Sequence, residues 1–293
     1  MNGTRVATAT MPWRIPSLRI EGFPWIPVII IGVITLVAIF ADVIAPYNPE
    51  IGVLGDRFRP PAWQAGGSQA HLLGTDHVGR DVLSRLIFGA RVSMVVGFTA
   101  VIVAGIIGTG LGILSGYLGG WVDQVIMRVT DTWLALPALT FAIFLAAIVG
   151  PSELNIILIL GLVYWTRYAR VIRGEVLSLK QRDFVALAKV RGCSSARIML
   201  THILPNVLNT FMVLVTLNIG VVIIAEASLS FLGAGIPPPT PTWGLMVSDG
   251  RGRIAEAWWV SLIPGIAITL LVLSVNVFGD WLRDRLDPRL RQL

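Results

Sequence analysis

Few residues in this chain carry reactive chemistry, and their spacing argues against catalysis. His71, His77 and His202 are scattered along the sequence. None forms an H-E-x-x-H pair, which would set two imidazoles one helical turn apart around a zinc ion. The single cysteine, Cys193, excludes an intramolecular disulfide and offers no thiolate cluster. Neither lysine, Lys180 or Lys189, follows glycine in a G-x4-G-K-[ST] loop, so energy from a nucleotide must come from another polypeptide. What remains is charge in unusual places. Eight Lys/Arg residues (Arg167, Arg170, Arg173, Lys180, Arg182, Lys189, Arg191, Arg197) meet only two acids there, Glu175 and Asp183. One carboxylate, Glu226, follows the apolar run 221–225.

The elements that position these groups follow from composition. Hydrophobic residues make up 55% of the 293 residues, charged residues 14%, and mean hydropathy is +0.76. A soluble domain carries about 25% charge. Runs of roughly 20 apolar residues cross a hydrocarbon core about 30 Å thick, whereas barrel strands would alternate over about ten. The expectation is an all-α polytopic membrane protein with six transmembrane helices, at 25–45, 93–115, 132–149, 154–168, 207–232 and 259–281. Residues 26–44 exceed a signal-peptide core, so the first span reads as an uncleaved anchor. With the N-terminus inside, sixteen Lys/Arg fall on the cytoplasmic side and six outside, with Arg91 at a boundary. The positive-inside rule then places both termini in the cytoplasm. The net charge of +6 follows this topology and needs no nucleic acid.

The chain accordingly divides into a cytoplasmic tail (1–24), the first span (25–45), an external segment (46–90), a membrane domain (91–281) with an inward loop at 169–206, and a second tail (282–293). Asp81 is the expected N-cap of a helix over 81–88. The run Ile236-Pro237-Pro238-Pro239-Thr240-Pro241 cannot be helical. Gly108-x3-Gly112 and Gly112-x3-Gly116 let two helices approach closely, either within this chain or with a second membrane subunit.

The inward loop reads as helix–turn–helix. Asp183 caps a helix from Phe184, Lys189 and Arg191 sit in its last turn where the dipole favours cations, and Gly192 ends it. Ser194 or Ser195 caps a second short helix, and Leu204-Pro205 marks a break before the fifth span. Phe184, Val185, Leu187 and Ala188 form an apolar side, with small residues at Ala186 and Ala188. Such a helix suits either a partner's groove or the surface of anionic lipid.

The stretch 183–206 resembles the cytoplasmic EAA loop of bacterial ABC importer permeases, whose pattern is Glu-Ala-Ala-x3-Gly, nine residues, then Ile-x-Leu-Pro. Here Ala186-Leu187-Ala188-x3-Gly192 is followed, after nine residues, by His202-Ile203-Leu204-Pro205. Ala188, Gly192, Leu204 and Pro205 match; Ala186 stands where the pattern has glutamate, so that residue's role does not carry over. Stretches 72–93, 225–244 and 279–291 resemble the C-type permease subunit of the dipeptide/oligopeptide/nickel branch. The resemblance implies a type I importer fold in a bacterial inner membrane, a pathway for di- or oligopeptides or another small solute, and no cofactor on this chain. It also implies partners: a second homologous permease, two cytoplasmic ATPases that use ATP and hold 183–191 as a coupling helix, and an external solute-binding protein. The run Gly74-Thr75-Asp76-His77-Val78-Gly79-Arg80 would shape the external entrance or touch the binding protein or substrate.

Glu226 falls in the outer part of the fifth span, where a carboxylate must face protein or water. It is expected either to meet a translocating cation or gate, or to form a structural pair, with Arg251 or Arg253 as candidate partners. Asp131, Asn218, Asn276 and Asp280 read as interhelical hydrogen-bonding or boundary residues.

Overall fold

Helix after helix follows from apolar runs too long to leave their backbone unpaired in lipid. The computed structural model describes residues 22–286. Both tails, with Arg5, Arg14, Arg19, Arg289 and Arg291, lie wholly or largely outside the described residues. The elements are α1 (Trp25–Ile39), α2 (Ala41–Ile44), α3 (Val82–Leu118), α4 (Gly120–Ala135), α5 (Ala138–Val149), α6 (Glu153–Leu179), α7 (Asp183–Val190), α8 (Ser195–Ile198), α9 (Leu204–Phe231), α10 (Trp243–Gly250), α11 (Ile254–Ala257) and α12 (Trp259–Leu286). Among the described residues there is no strand.

Four helical stretches are individually long and apolar enough to cross a membrane: Val82–Leu118, Glu153–Leu179, Ser195–Phe231 and Trp259–Leu286. The third expected span is a pair, α4 and α5, bent by 94°. Pro137 makes the bend, because the residue before a proline avoids the helical region; Leu136 is extended at ψ 134. The first expected span is broken at Phe40 into α1 and α2. Arg91 serves that break: Nε donates to the Ala38 carbonyl at 2.9 Å, and Nη2 reaches Asp42 at 2.7 Å. Among the described residues the count of long apolar crossings is therefore four, or five with the bent pair.

Helix α3 is the centre of the bundle, with α6 parallel to it, α9 on another side, and α1 and α12 completing the packing. The small-residue ladder decides the α3–α6 approach. A Cβ at Gly108 would stand 2.2 Å from the Trp165 carbonyl, and one at Gly112 2.7 Å from that of Ala169. The glycine motif thus packs within the chain. Three apolar clusters run along the bundle, and one of them gathers Ile113, Tyr117, Ile172 and Val176 at the ends of α3 and α6.

Candidate functional site

Helix α7 is seated on that last cluster. Val185 and Ala188 are buried against it, joined by Ile198, Ile203 and Val207. Burying each Val or Ile stabilises the contact by roughly 1.5–3 kcal/mol relative to exposure, so α7 shares one apolar cluster with residues of α3, α6 and α9. Its other side faces outward: Phe184 is partly exposed, Leu187 58% and Val190 86%. The expected apolar face therefore splits in two. Ala188 packs inward and is closed to any partner, while Ala186 is exposed. Lys180 and Lys189 both lie over the Tyr117 ring, with Nζ 5.6 and 5.8 Å from its centroid.

The ends of α7 differ from the expectation on one side only. Asp183 is the first helical residue, and Arg182 precedes it without a side-chain cap. Asp183 favours the helix through the dipole at its first turn instead of through a capping bond. At the other end Gly192 takes φ +75. The Gly192 amide donates to Lys189 at 2.9 Å and the Cys193 amide to Ala188 at 3.1 Å, the paired closure of a Schellman motif. Arg191 is the C-cap. Ser194 caps α8 by accepting from the Arg197 amide.

The expected break at Leu204-Pro205 is absent: Ser195–Phe231 runs on as one helical stretch. A π turn at Met199–Ile203 precedes Pro205, which occupies the first turn of α9. A proline inside a helical stretch removes one backbone hydrogen bond, and the π turn before it changes the ladder where that donor is missing. Leu204 is half-buried and Pro205 exposed. Any displacement of α7–α8 consequently acts on α9 without an intervening loop.

Glu226 is fully buried between α9 and its neighbours. Ser230 Oγ donates to its Oε1 at 2.7 Å, while Oε2 and the nearby buried Ser93 hydroxyl have no geometric partner. Neither expected arginine reaches it. Arg253 pairs with Glu256 at 2.9 Å, and Arg251 lies 5.1 Å from the centroid of Phe231. Four residues along a helix put Ser230 on the Glu226 face, a local partner that the sequence already contained.

At the end of the bundle away from α7, the 74–80 run is a built ion cluster. Arg80 Nε binds Asp76 Oδ2 at 2.7 Å and its Nη2 lies 3.4 Å from Asp249. Arg85, wholly buried, stands 3.5 Å from Asp76 and 3.6 Å from Asp249. Asp81 caps α3 through the Ser84 amide at 2.8 Å and binds His71 at 3.0 Å. Trp259 Nε1 donates to the Thr75 carbonyl at 3.1 Å. Burial pushes the Asp249 carboxyl above its ordinary range, against the pull of His77, Arg85 and Arg80. Asp76, His77 and Asp249 are close enough together to share an ion, but two guanidinium groups already lie against these carboxylates. The cluster ties the segment before α3 to α10 and α12. Asp249 and Trp259 were invisible as its members in the sequence.

Residues 108–292 match the model of the family described as binding-protein-dependent transport system inner membrane component. The chain belongs to this family. It is 48% identical over 260 residues to the dipeptide transport system permease protein DppC of Escherichia coli strain K12, covering 89% of this chain and 87% of that protein. Identity to the protein of the same name from Haemophilus influenzae is 43% over 267 residues, 91% and 90% of the two chains. Identity to the di/tripeptide transport system permease protein DppC of Pseudomonas aeruginosa is 41% over 258 residues, 88% and 85%. The chain is thus the permease subunit of an ABC importer, a multi-pass component of a multi-subunit transport system and not an enzyme; ATP hydrolysis belongs to separate subunits. The importer-permease match begins inside α3 and takes in α7, α8, Glu226 and Asp249, whereas the 74–80 run precedes it.

Proposed function

We propose that this permease forms half of a translocation pathway for di- and oligopeptides, with α7 as the helix that ATPase subunits grip. The carrying observation is the two-sided α7: Val185 and Ala188 are buried in a cluster shared with the long helices, and Phe184, Leu187 and Val190 stand outward for a groove. The relatives named for peptide transport support the cargo. In this reading both termini and α7 are cytoplasmic, a second homologous permease completes the pathway, two ATPases bind the paired coupling helices, and an external solute-binding protein delivers peptide to the end that carries the 74–80 run. ATP drives the switch only through different contact energies in its two states. Because α8 is continuous with α9, a push on α7 reaches the pathway helix directly. No cofactor is assigned to this chain. Glu226 keeps the role of a buried interhelical carboxyl.

The test is co-purification and transport. The assembled complex should take up labelled dipeptide in proteoliposomes when ATP is supplied on the α7 side. Phe184→Glu should abolish ATPase co-purification while leaving the permease folded. ATPase retention by that variant removes the coupling role, and uptake of a nickel chelate without peptide uptake removes the peptide assignment.

A further inference from the structure

The bend between α4 and α5 opens a cavity that the coupling mechanism does not use. It has a volume of about 230 Å³ and is lined by Trp133, Phe141, Tyr164 and Arg167 among others. Such a volume is below the roughly 300–1,000 Å³ of a whole small-molecule site, so it suits one end of a larger ligand.

Three arginines descend α6 at intervals of three residues toward the end that carries α7. Arg173 is held by Asp123 of α4, with both guanidinium contacts at 2.5 Å, and Arg170 by Asp131 of α4 at 2.5 Å. Arg167 is the next step of that ladder, and α4 offers no third acid, because Leu134, Ala135 and Leu136 follow before the bend. Among the described residues Arg167 has no ion-pair partner; its guanidinium lies 5.6 Å from the centroid of Tyr164, at the cavity's rim. The walls are held in place. Trp133 Nε1 donates to the Leu162 carbonyl at 2.9 Å, and its ring meets Phe141 edge-on across the bend at 5.2 Å.

The depth of the cavity selects its occupant. Arg91 marks one margin of the apolar slab, where it binds the end of α1. The α3–α6 contacts pair Gly108 with Trp165 and Gly112 with Ala169, which sets Arg167 level with Gly110. Nineteen residues of α3 from Arg91 span about 28 Å at 1.5 Å per residue, close to the hydrocarbon thickness of about 30 Å. Arg167 therefore stands at the opposite margin, where Trp and Tyr settle and where lipid phosphates lie. A cation without a carboxylate, aromatic walls and an apolar cleft at headgroup depth are complementary to a phosphodiester with its first acyl carbons.

We propose that this cleft binds the headgroup of an anionic phospholipid, with Arg167 on the phosphate and Trp133, Phe141 and Tyr164 against the glycerol and upper acyl chain. The bound lipid supplies the anion that α4 lacks, and it holds the α4–α5 bend against α6.

Titration of the assembled detergent-solubilised transporter with phosphatidylglycerol, read by native mass spectrometry, tests the site, with phosphatidylcholine as the uncharged reference. Arg167→Gln should weaken phosphatidylglycerol binding about tenfold or more, the loss expected for one charge-assisted pair. Arg167→Lys should restore part of it, and the subunits should stay together in both variants. Unchanged phosphatidylglycerol affinity in Arg167→Gln overturns the proposal. Dissociation of the partner permease in that variant also overturns it, by showing that a neighbouring protein supplies the anion. So does rescue of the variant's thermal stability by a free dipeptide and not by the lipid, which would assign the cleft to cargo.

Discussion

The two ends of this bundle are held together by different physics. At the end before α3, Arg80, Arg85, Asp76 and Asp249 form a buried charge cluster that joins residues far apart in sequence. At the α7 end, Val185, Ile198, Ile203 and Val207 make an apolar seat, Lys180 and Lys189 lie over Tyr117, and the ion pairs Arg173–Asp123 and Arg170–Asp131 are more exposed than those before α3. Buried ion pairs are intolerant of any change of partner, because a lone charge left behind is costly. An apolar seat tolerates small shifts and leaves an outward face free for exchange. The first arrangement suits a fixed frame, the second a part that is pushed.

Five substitutions break or sharpen that contrast. Asp76→Ala strands Arg80 and Arg85, and should cost about 3–5 kcal/mol, read as a collapse of the thermal transition in detergent. Ile198→Ala hollows the apolar seat, and should cost about 2–5 kcal/mol with folding retained. The glycines compare the ends directly. Gly192 (φ +75) has open space around it, whereas a Cβ at Gly79 (φ +80) would lie 1.9 Å from the Val53 carbonyl. Gly192→Ala should lose about 1–2 kcal/mol from the left-handed backbone alone, and Gly79→Ala a further 1–3 kcal/mol or so from crowding; melting curves of the two variants measure the difference. Leu187→Ser, on the outward face, should shift stability by no more than about 0.5 kcal/mol. Its effect should appear in a separate assay, as lost stimulation of ATP hydrolysis by the loaded binding protein.

Much of this was legible from one-dimensional pattern. The apolar runs announced the helices, Asp81 announced the start of α3, and Gly192 announced the end of α7 because only a residue free of Cβ strain enters that φ at little cost. The Gly108–Gly116 ladder announced a close helix pair and left its partner open between two choices. Other features were misread for identifiable reasons. Pro205 suggested a break, but a π turn directly before it lets the helix run on. The α7 apolar residues looked like one face, yet Val185 and Ala188 point to the bundle while Leu187 and Val190 point away.

What the sequence determined by itself was local: where the backbone must be helical, where it must turn, which segments lipid can accept, and which family pattern residues 183–206 carry. Hydropathy and φ preferences act over a few residues, so a single strand of letters records them. Tertiary structure alone decided the long-range partnerships: Arg80 with Asp249, Trp259 with Thr75, and, among the described residues, Arg167 with no carboxylate. Pairing of this kind depends on which helix faces arrive at the same height, and that is set by how α3, α6 and α9 pack, not by any one segment's composition.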